Sequence, residues 1–248
     1  MPDGLRNTWN ERVDTWHHHV TSSPAFEKVR EEVLRLADVR ATDRCLDLGA
    51  GTGFLTLPLA ERAEHVTAVD ISPAMAEDLQ QRALEAGRDN VESIAGDLNM
   101  LRMPAASLDV IVSNYALHHV THPQKRELVA RVHGWLKPGG RLVVADMMFG
   151  RGLGAEDRKV LGAKVKALAA KGPGGVWRIA KNVTRLGLRL GDEQPAPPDF
   201  WQRAFTDAGF TDVGHIQIIN EAGIVWGNAH AGPPTVGDSA ESQTSADD

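Results

Sequence analysis

The motif LDLGAGTG at residues 46–53 is an apolar strand that runs into three glycines ahead of a predicted helix. Glycine adopts backbone torsions that other residues avoid, and it lets a ligand approach the backbone closely. Dinucleotide-binding proteins use a similar turn, but with the spacing G-x-G-x-x-G. The spacing here is G-x-G-x-G, and no Arg or Lys accompanies the turn, which suits a ligand without a pyrophosphate group.

Strands and helices are predicted to alternate on both sides of this motif. The strands fall at residues 44–49, 65–70, 91–95, 108–113 and 141–147. The helices that follow the first, second and fourth of them fall at residues 55–62, 73–87 and 124–136. The alternation predicts right-handed β-α-β units, and therefore a doubly wound α/β fold with a mostly parallel sheet. A further helix at 199–208 precedes two runs, near 212–219 and 222–228, that predict an antiparallel hairpin.

The two ends of the chain differ from this α/β pattern. Residues 1–40 are the predicted N-terminal helical region. Apolar side chains recur at helical intervals over residues 9–37, which predicts two helices separated near Pro24, with Ser23 as the N-cap of the second. Residues 41–230 form the predicted α/β domain. Residues 231–248 are dominated by small, polar and acidic residues, so we expect a disordered tail.

Residues 148–198 interrupt the alternation and predict a helical cap inserted into the domain, with helices near 155–171 and 175–190. Residues 151–190 hold ten Lys and Arg but only two acidic residues. In the second helix, one face carries a basic stripe of Arg178, Lys181, Arg185 and Arg189. Such a helix grips an acidic substrate or rests on anionic lipid, which leaves peripheral membrane contact open. The alternative is a cap with a solvated polar face.

Composition places the chain among ordinary globular proteins. Its 248 residues are 42% apolar and carry a net charge of -6. The single cysteine, Cys45, lies in an apolar run, so we expect a buried thiol and no intramolecular disulfide. No segment resembles a secretion signal, and none approaches the roughly 20 apolar residues of a membrane-spanning helix. We therefore expect a soluble protein of the cytoplasm.

Two carboxylates follow the second and third predicted strands. Asp70 ends the second strand, where a carboxylate can accept hydrogen bonds from both hydroxyls of a ribose. The alternative is a cap for the helix that begins at Pro73. Asp97 ends the third strand, where a carboxylate can accept from the amino group of an adenine, although Gly-Asp is also a common turn.

Taken together, these segments resemble the class I S-adenosylmethionine-dependent methyltransferases of the small-molecule type. The segments that carry the resemblance are residues 46–53, 68–75, 96–97, 108–120 and 136–142. The resemblance implies a sheet of seven strands, S-adenosyl-L-methionine as the cofactor and transfer of its methyl group. It extends over roughly residues 40–147, and the closing helix and hairpin are also similar.

The resemblance also implies which residues contact the cofactor. The glycine turn and the neighbouring carboxylate would hold the methionine part and the sugar: Gly49, Ala50, Gly51, Gly53 and Asp47. Asp70 would bind the ribose. The adenine would lie against Ile71, Asp97 and Leu98. Ser113 would line the sulfonium end, and Trp16, with one of the adjacent histidines, would cover the cofactor. We expect no metal at His17–His19, because consecutive helical residues point in different directions.

The loop after the fourth strand is expected to face the methyl group that is transferred. A base is needed only when the acceptor is protonated at the working pH, and His118 and His119 are the candidates. The alternative is that one of these histidines is a packed, hydrogen-bonded residue. Asn114 begins the same loop, but Asn114-Tyr115 departs from the Asn-Pro-Pro-Tyr motif of many amide and nucleobase amino methyltransferases. Acceptors of those kinds are correspondingly disfavoured.

The main hypothesis is methyl transfer by in-line displacement to a small molecule, acidic or lipophilic, admitted under the cap. The methylated atom, whether oxygen, nitrogen or carbon, and the oligomeric state stay open. An RNA methyltransferase is one alternative, supported only by the basic segment and opposed by the net negative charge. A noncatalytic S-adenosylmethionine-binding regulator is another, because it would have the same fold.

Overall fold

The computed structural model describes residues 3–149, 193–219 and 221–230. Its strands are β1 (Arg44–Leu48), β2 (His65–Asp70), β3 (Val91–Ala95), β4 (Leu108–Asn114), β5 (Leu136–Met147), β6 (Phe210–Gln217) and β7 (Ala222–Ala229). Its helices are α1 (Asp3–Asn10), α2 (Val13–Ser22), α3 (Pro24–Ala37), α4 (Thr56–Ala60), α5 (Pro73–Glu85), α6 (His122–Trp135) and α7 (Pro198–Asp207). A short 3₁₀ turn, Leu117–His119, follows β4.

All seven strands form one sheet in the order β3-β2-β1-β4-β5-β7-β6. Strands β1 to β5 pair in parallel, and β7 is antiparallel to both β5 and β6. The predicted doubly wound, mostly parallel sheet of seven strands is confirmed, including its closing hairpin. The strand order reverses between β1 and β4, and ligands of such sheets bind in the crevice beyond the carboxyl ends of the strands at that point.

Helices α5 and α6 each begin with a side-chain N-cap. Ser72 Oγ accepts a hydrogen bond from the Met75 amide at the start of α5. Thr121 and Gln124 form a reciprocal capping box at the start of α6. Ser23 is the N-cap residue of α3, as predicted, but its side chain makes no capping hydrogen bond.

The two helices predicted within residues 9–37 are confirmed as α2 and α3, and the structure adds a third helix before them that was not predicted. Helix α1 precedes the predicted pair and ends at Asn10. Helix α4 is shorter than predicted, whereas β5 begins at Leu136 because Leu136 pairs with Leu108 of β4 before the register shifts and resumes at Arg141. The bounds predicted for β2 and β3 agree with the structure.

Helices cover both faces of the sheet. One face packs against α6 and α7 through a core that includes Trp201 and Phe205. The other packs against α3, α4 and α5 and includes Cys45. Burial raises the pKa of the Cys45 thiol to about 12, so this free cysteine stays protonated and packs as a small apolar residue.

Several predictions fall on residues that the structure does not describe. The predicted cap helices at 155–171 and 175–190, with the basic stripe, lie outside the described residues, and so does the predicted tail at 231–248. The proposed domain boundaries therefore stay predictions. In the described parts of the chain, no helix combines the length and the apolar character needed to cross a membrane.

Candidate active site

The glycine turn at the end of β1 brings the backbone close to two other elements. Gly49 has φ +76°, and a Cβ placed on it would lie 2.2 Å from Cβ of Ala116 in the loop after β4. Gly51 has φ +54°, and its Cβ would lie 3.1 Å from the indole Nε1 of Trp16. Gly53 differs, because its Cβ would meet Leu57 and Leu79 in the core. The first two glycines therefore shape the crevice, and the third allows helices α4 and α5 to pack.

The Asp70 side chain links the glycine turn to the segment that follows β2 through two hydrogen bonds. Its Oδ2 accepts a hydrogen bond from the Gly51 amide at 2.8 Å, and its Oδ1 accepts from the Ser72 amide at 2.9 Å. Burial raises the pKa of Asp70, while these backbone hydrogen bonds act in the opposite direction. The side-chain N-cap of α5 is Ser72 and not Asp70. The Asp70 carboxylate instead lines the crevice at the end of β2.

Asp47 lies one residue before the end of β1 and is almost completely buried. Thr56 Oγ1 donates a hydrogen bond to its Oδ2 at 2.7 Å. Burial raises the pKa of Asp47 to about 7, and the nearby Asp70 charge acts in the same direction. A cation that binds beside this buried carboxylate lowers the pKa of the carboxylate and favours its ionised form.

The residues around these carboxylates enclose a cleft with an empty volume of about 740 Å³, its open mouth included. The floor of the cleft comes from the sheet edge: Asp47, Gly49, Ala50, Gly51, Asp70, Ile71 and Leu98. Other walls come from α1 and α2: Leu5, Trp9, Trp16 and Val20. The last residue of β4 and the loop after it supply a further wall: Asn114, Tyr115, Ala116 and His119.

Polar contacts attach the N-terminal helices over this cleft. Asn10 Oδ1, at the end of α1, accepts a hydrogen bond from Ser72 Oγ at 2.6 Å. On α2, His17 Nδ1 lies 3.2 Å from Thr52 Oγ1 and its Nε2 lies 3.2 Å from an Arg82 nitrogen. Trp9 and Trp16 therefore reach the cleft from helices that are hydrogen-bonded to the α/β domain.

His119 and Asn114 present buried polar atoms without a hydrogen-bond partner in the described part of the chain. These atoms are both ring nitrogens of His119 and Oδ1 of Asn114. Burial lowers the pKa of His119 to about 3, so its imidazole is neutral at ordinary pH. The ring of Trp9 lies edge-on to His119, with ring centroids 5.6 Å apart. Unpaired polar atoms beside aromatic rings suit a ligand that is apolar but carries a hydrogen-bonding group.

His118 occupies a different environment from its neighbour. Its Nδ1 lies 2.7 Å from Oδ1 of Asp146 near the end of β5, and both side chains are buried. The rings of His118 and His119 are 4.1 Å apart between centroids. His118 therefore packs behind His119 and fixes the 3₁₀ turn to β5.

Comparisons with known proteins identify the family. A model described as a methyltransferase domain matches residues 45–140. A demethylmenaquinone methyltransferase from Clavibacter sepedonicus is 33% identical over 206 residues, which cover 79% of this chain and 78% of that protein. The chain belongs to the S-adenosylmethionine-dependent methyltransferases.

Other comparisons agree with this family. An uncharacterized methyltransferase from Geobacillus sp. (strain WCH70) is 29% identical over 196 residues, covering 79% of this chain and 81% of that protein. The matches to three further curated methyltransferases span only 58%, 61% and 54% of those proteins. The fold resembles the apo crystal structure of the S-adenosylmethionine-dependent methyltransferase SibL, with a TM-score of 0.61 and 22% identity over 87% of this chain and 57% of that chain.

The crevice of this methyltransferase fits S-adenosylmethionine in charge and shape. The cofactor carries a sulfonium, an ammonium and a carboxylate group, so its net charge is positive, and the cleft offers Asp47 and Asp70 at the sheet edge. Its described lining contains no Lys or Arg. Gly49 and Gly51 leave the backbone open where a Cβ would collide with its neighbours.

Not all predicted site residues of the methyltransferase meet in the cleft. Ten of them line it: Trp16, Asp47, Gly49, Ala50, Gly51, Asp70, Ile71, Leu98, Asn114 and His119. The other four are Gly53, Asp97, Ser113 and His118. Ser113 Oγ donates to the Leu48 carbonyl at 2.8 Å, and Asp97 accepts from the amide of Asn99 at 2.9 Å. These two side chains make hydrogen bonds within the protein, and the cofactor contacts predicted for the four residues stay predictions.

The sequence interpretation missed much of the apolar lining of the cleft, notably Leu5, Trp9, Phe54, Met75 and Tyr115. The spacing of four residues in Leu5–Trp9 and in Trp16–Val20 is a helical signal that places each pair on one face. That signal indicates an apolar face, but it does not tell which surface the face covers.

Proposed function

We propose that this methyltransferase methylates an uncharged, lipophilic small molecule that presents a hydroxyl group to His119. The observation that carries the proposal is the combination found at the loop after β4. Both nitrogens of a neutral His119 are buried there without a hydrogen-bond partner among the described residues, beside aromatic rings. An acceptor with an apolar body and one hydrogen-bond donor satisfies this wall best.

The described lining favours a lipophilic acceptor over an acidic one. Trp9, Trp16, Phe54 and Tyr115 all reach the cleft, and no described lining residue offers a cation to a carboxylate or phosphate. The basic stripe that suggested an acidic substrate lies outside the described residues. Apolar ligands bind in such pockets by burying ring and chain surface, while a few polar atoms fix their orientation.

His119 is better suited to orient a hydroxyl group than to carry its proton. A conjugate acid with a pKa of about 3 is too strong to hold a proton taken from a phenol. As a neutral imidazole, His119 would accept a hydrogen bond from the hydroxyl group and direct the oxygen, or the ring carbon that it activates, toward the methyl donor. The acceptor's proton would pass to water, and the thioether left by the sulfonium would be the leaving group. Asn114 Oδ1 is a second acceptor at the same wall.

The rate enhancement would come mainly from alignment. S-adenosylmethionine supplies a methyl group that is already activated by the sulfonium charge. The chain would hold the acceptor in line and exclude water, and effective molarity supplies up to about 7–11 kcal/mol of the barrier in favourable cases. The aromatic walls on α1 and α2 serve both tasks, because they cover the cleft and restrict the acceptor's position.

The Clavibacter relative supports this class of acceptor. It is named for demethylmenaquinone, and a reduced quinone combines an apolar ring system with hydroxyl groups. Such a molecule matches the aromatic lining and the unpaired nitrogens of His119. We therefore place hydroquinones and naphthols with apolar chains first among the acceptors to be tested.

The test is transfer of labelled methyl groups from S-adenosylmethionine to matched acceptors. One set contains alkylated hydroquinones and naphthols, the second contains the same molecules with an added carboxylate, and the third is total RNA. We expect product from the first set, and we expect His119→Leu to lower kcat/KM by about tenfold or more. Lys137→Met is the control, because Lys137 pairs with Asp109 at the amino ends of β5 and β4, opposite the carboxyl ends where the cleft lies.

Three outcomes would overturn the proposal. Preferential methylation of the carboxylate set would indicate an acidic acceptor, bound through residues outside the described lining. Methylation of RNA alone would support the nucleic-acid alternative. Tight cofactor binding with no transfer to any set would support a noncatalytic regulator.

We infer a cytoplasmic location as well, and two observations support it. The single cysteine is free and buried, which suits a reducing compartment but does not require one. The described helices include none that spans a membrane. Cell fractionation tests this inference, and recovery of the protein in a membrane or extracellular fraction would contradict it.

A further inference from the structure

Lys125, on the first turns of α6, is the most unusual charged residue in the described core. Its side chain is completely buried. Its Nζ donates hydrogen bonds to the carbonyl of Val120 at 2.5 Å and to the carbonyl of Gln194 at 2.7 Å. Burial lowers the pKa of Lys125 to about 8, and the charge of Asp146 acts in the opposite direction. Two backbone carbonyls, rather than a carboxylate, thus receive the hydrogen bonds of this ammonium group.

Packing alone does not account for a lysine at this position. An ammonium group loses its hydration when it is buried, and methionine would fill a similar volume without that loss. The contribution of Lys125 must therefore lie in the two carbonyls that it joins. One belongs to the residue that closes the 3₁₀ turn, and the other belongs to the chain that returns from residues 150–192.

Three connections hold the 3₁₀ turn that carries His119. Lys125 binds the carbonyl of Val120, directly after the turn. The Gln194 amide donates to the carbonyl of His118 at 2.6 Å. Asp146 holds the imidazole of His118 from β5. Because Lys125 also binds Gln194, the returning chain and the turn are linked twice through neighbouring residues.

We propose that Lys125 is a positioning residue for the acceptor site, because it couples the returning chain at Gln194 to the turn that presents His119. This inference rests on the proposed role of His119 in contacting the acceptor. The carbonyls of Val120 and Gln194 face the same ammonium group, so displacement of one changes the hydrogen bonding of the other. The position of His119 therefore depends on where the chain re-enters the domain at residues 193–197.

The cofactor end of the cleft should be insensitive to this coupling. Asp47 and Asp70 lie on β1 and β2, and their side chains accept hydrogen bonds from the glycine turn, Thr56 and Ser72. Loss of Lys125 should thus affect the acceptor without affecting cofactor binding. A residue that merely stabilised the fold would affect both ends together.

The test compares Lys125→Met with Lys137→Met. Lys125→Met keeps the apolar part of the side chain and removes its hydrogen-bond donors. Lys137→Met removes a lysine that pairs with Asp109 at the amino ends of β5 and β4. The readouts are calorimetric affinity for S-adenosylhomocysteine, kcat and KM for the best acceptor, and hydrogen exchange of the peptides that contain residues 117–120 and 193–197. The last readout requires no acceptor.

For Lys125→Met we expect kcat/KM to fall by about tenfold or more, with the affinity for S-adenosylhomocysteine unchanged within about twofold. We expect the two peptides to exchange together, about tenfold faster than in the wild type. The Lys137→Met variant should change none of these values. If Lys125→Met does not fold, Lys125→Gln replaces it, because its amide keeps a donor for one of the two carbonyls.

Two results would overturn the inference. Unchanged exchange in both peptides would show that Lys125 does not couple them. Equal losses of cofactor affinity and acceptor turnover would show a general structural role. If no acceptor is methylated but the two peptides still exchange faster together, the proposed function fails and the coupling stands, so the two failures are distinguishable.

Discussion

Nδ1 of His118 lies 2.7 Å from Oδ1 of Asp146, and this buried contact separates the roles of two adjacent histidines. The Met147 amide also donates to Asp146 Oδ1, so the carboxylate joins the 3₁₀ turn to the end of β5. His119 has no such partner among the described residues, and it faces the cleft. One histidine therefore holds the turn, and the other is available to a ligand.

Substitution by leucine should distinguish these two roles. His118→Leu leaves the buried carboxylate of Asp146 without the imidazole, and we expect the free energy of unfolding to fall by about 3 kcal/mol. His119→Leu removes buried nitrogens that have no partner, so we expect a change within about 1 kcal/mol. Urea denaturation of both variants without ligand measures the difference. Similar losses in both variants would contradict the assignment of His118 to structure and His119 to the ligand.

Cofactor affinity should depend on pH through Asp47. Burial raises the pKa of Asp47 to about 7 in the ligand-free protein, so the cationic cofactor must bind to a site that is protonated below that value. We expect the affinity for S-adenosylmethionine to rise by about tenfold between about pH 5.5 and 7 in calorimetric titrations, with release of a proton on binding. Asp47→Asn should bind weakly and show no such rise.

The same ionisation should influence stability in a defined direction. The pKa of Asp47 in the folded protein lies above its ordinary value of 3.8, so the folded state retains a proton that the unfolded state loses. The free energy of unfolding from this group therefore decreases as the pH rises from about 4 to about 7. Asp47→Asn removes that decrease, and the ligand-free variant should be more stable than the wild type at about pH 8 in thermal denaturation. A less stable variant at that pH would contradict the inferred cost of burying this charge.

Asp70 is expected to contribute more to cofactor binding than any single glycine of the turn. Asp70→Ala removes the carboxylate that accepts from Gly51 and Ser72, and it also removes the predicted ribose contact. We expect the affinity for both S-adenosylmethionine and S-adenosylhomocysteine to fall at least about tenfold, or about 1.4 kcal/mol. Asp199→Ala on α7 is the control, because Asp199 is exposed and pairs with Arg203. Equal affinity in wild type and Asp70→Ala would remove Asp70 from the binding site.

Two glycines with nearly equal φ values allow a steric effect to be separated from a backbone effect. Gly49 has φ +76° and Gly139 has φ +80°. A Cβ on Gly49 would lie 2.2 Å from Cβ of Ala116, whereas a Cβ on Gly139 would meet nothing within 4 Å. We expect Gly139→Ala to cost about 1 kcal/mol of stability from the torsion alone.

For Gly49→Ala we expect a loss of more than about 2 kcal/mol, because the collision adds to the torsional strain. The loop from Ala116 to His119 would have to move, so acceptor turnover should fall as well. Urea denaturation and kinetics of the two alanine variants measure both effects. Equal losses of stability would show that Ala116 moves aside without cost.

Local patterns in the sequence were sufficient for the order of strands and helices and for the edge where the ligand site lies. The strand at residues 65–70 and its terminal Asp70 were predicted from an apolar run and its boundary. The glycine turn was predicted because its torsions and close approaches require residues without a side chain. These features depend on neighbours in the chain, and they therefore appear in the sequence.

By itself, then, the sequence determined a doubly wound methyltransferase fold and a glycine-lined edge with two carboxylates. Only the tertiary structure decided that His119, and not the adjacent His118, faces the cleft. The reason is that His118 contacts Asp146, which lies 28 positions away in the chain. The tertiary structure also placed Trp9 against His119 and brought Gln194 to Lys125 across 69 positions. Burial and hydrogen bonding between segments far apart in the chain set these roles, and no local pattern of residues records them.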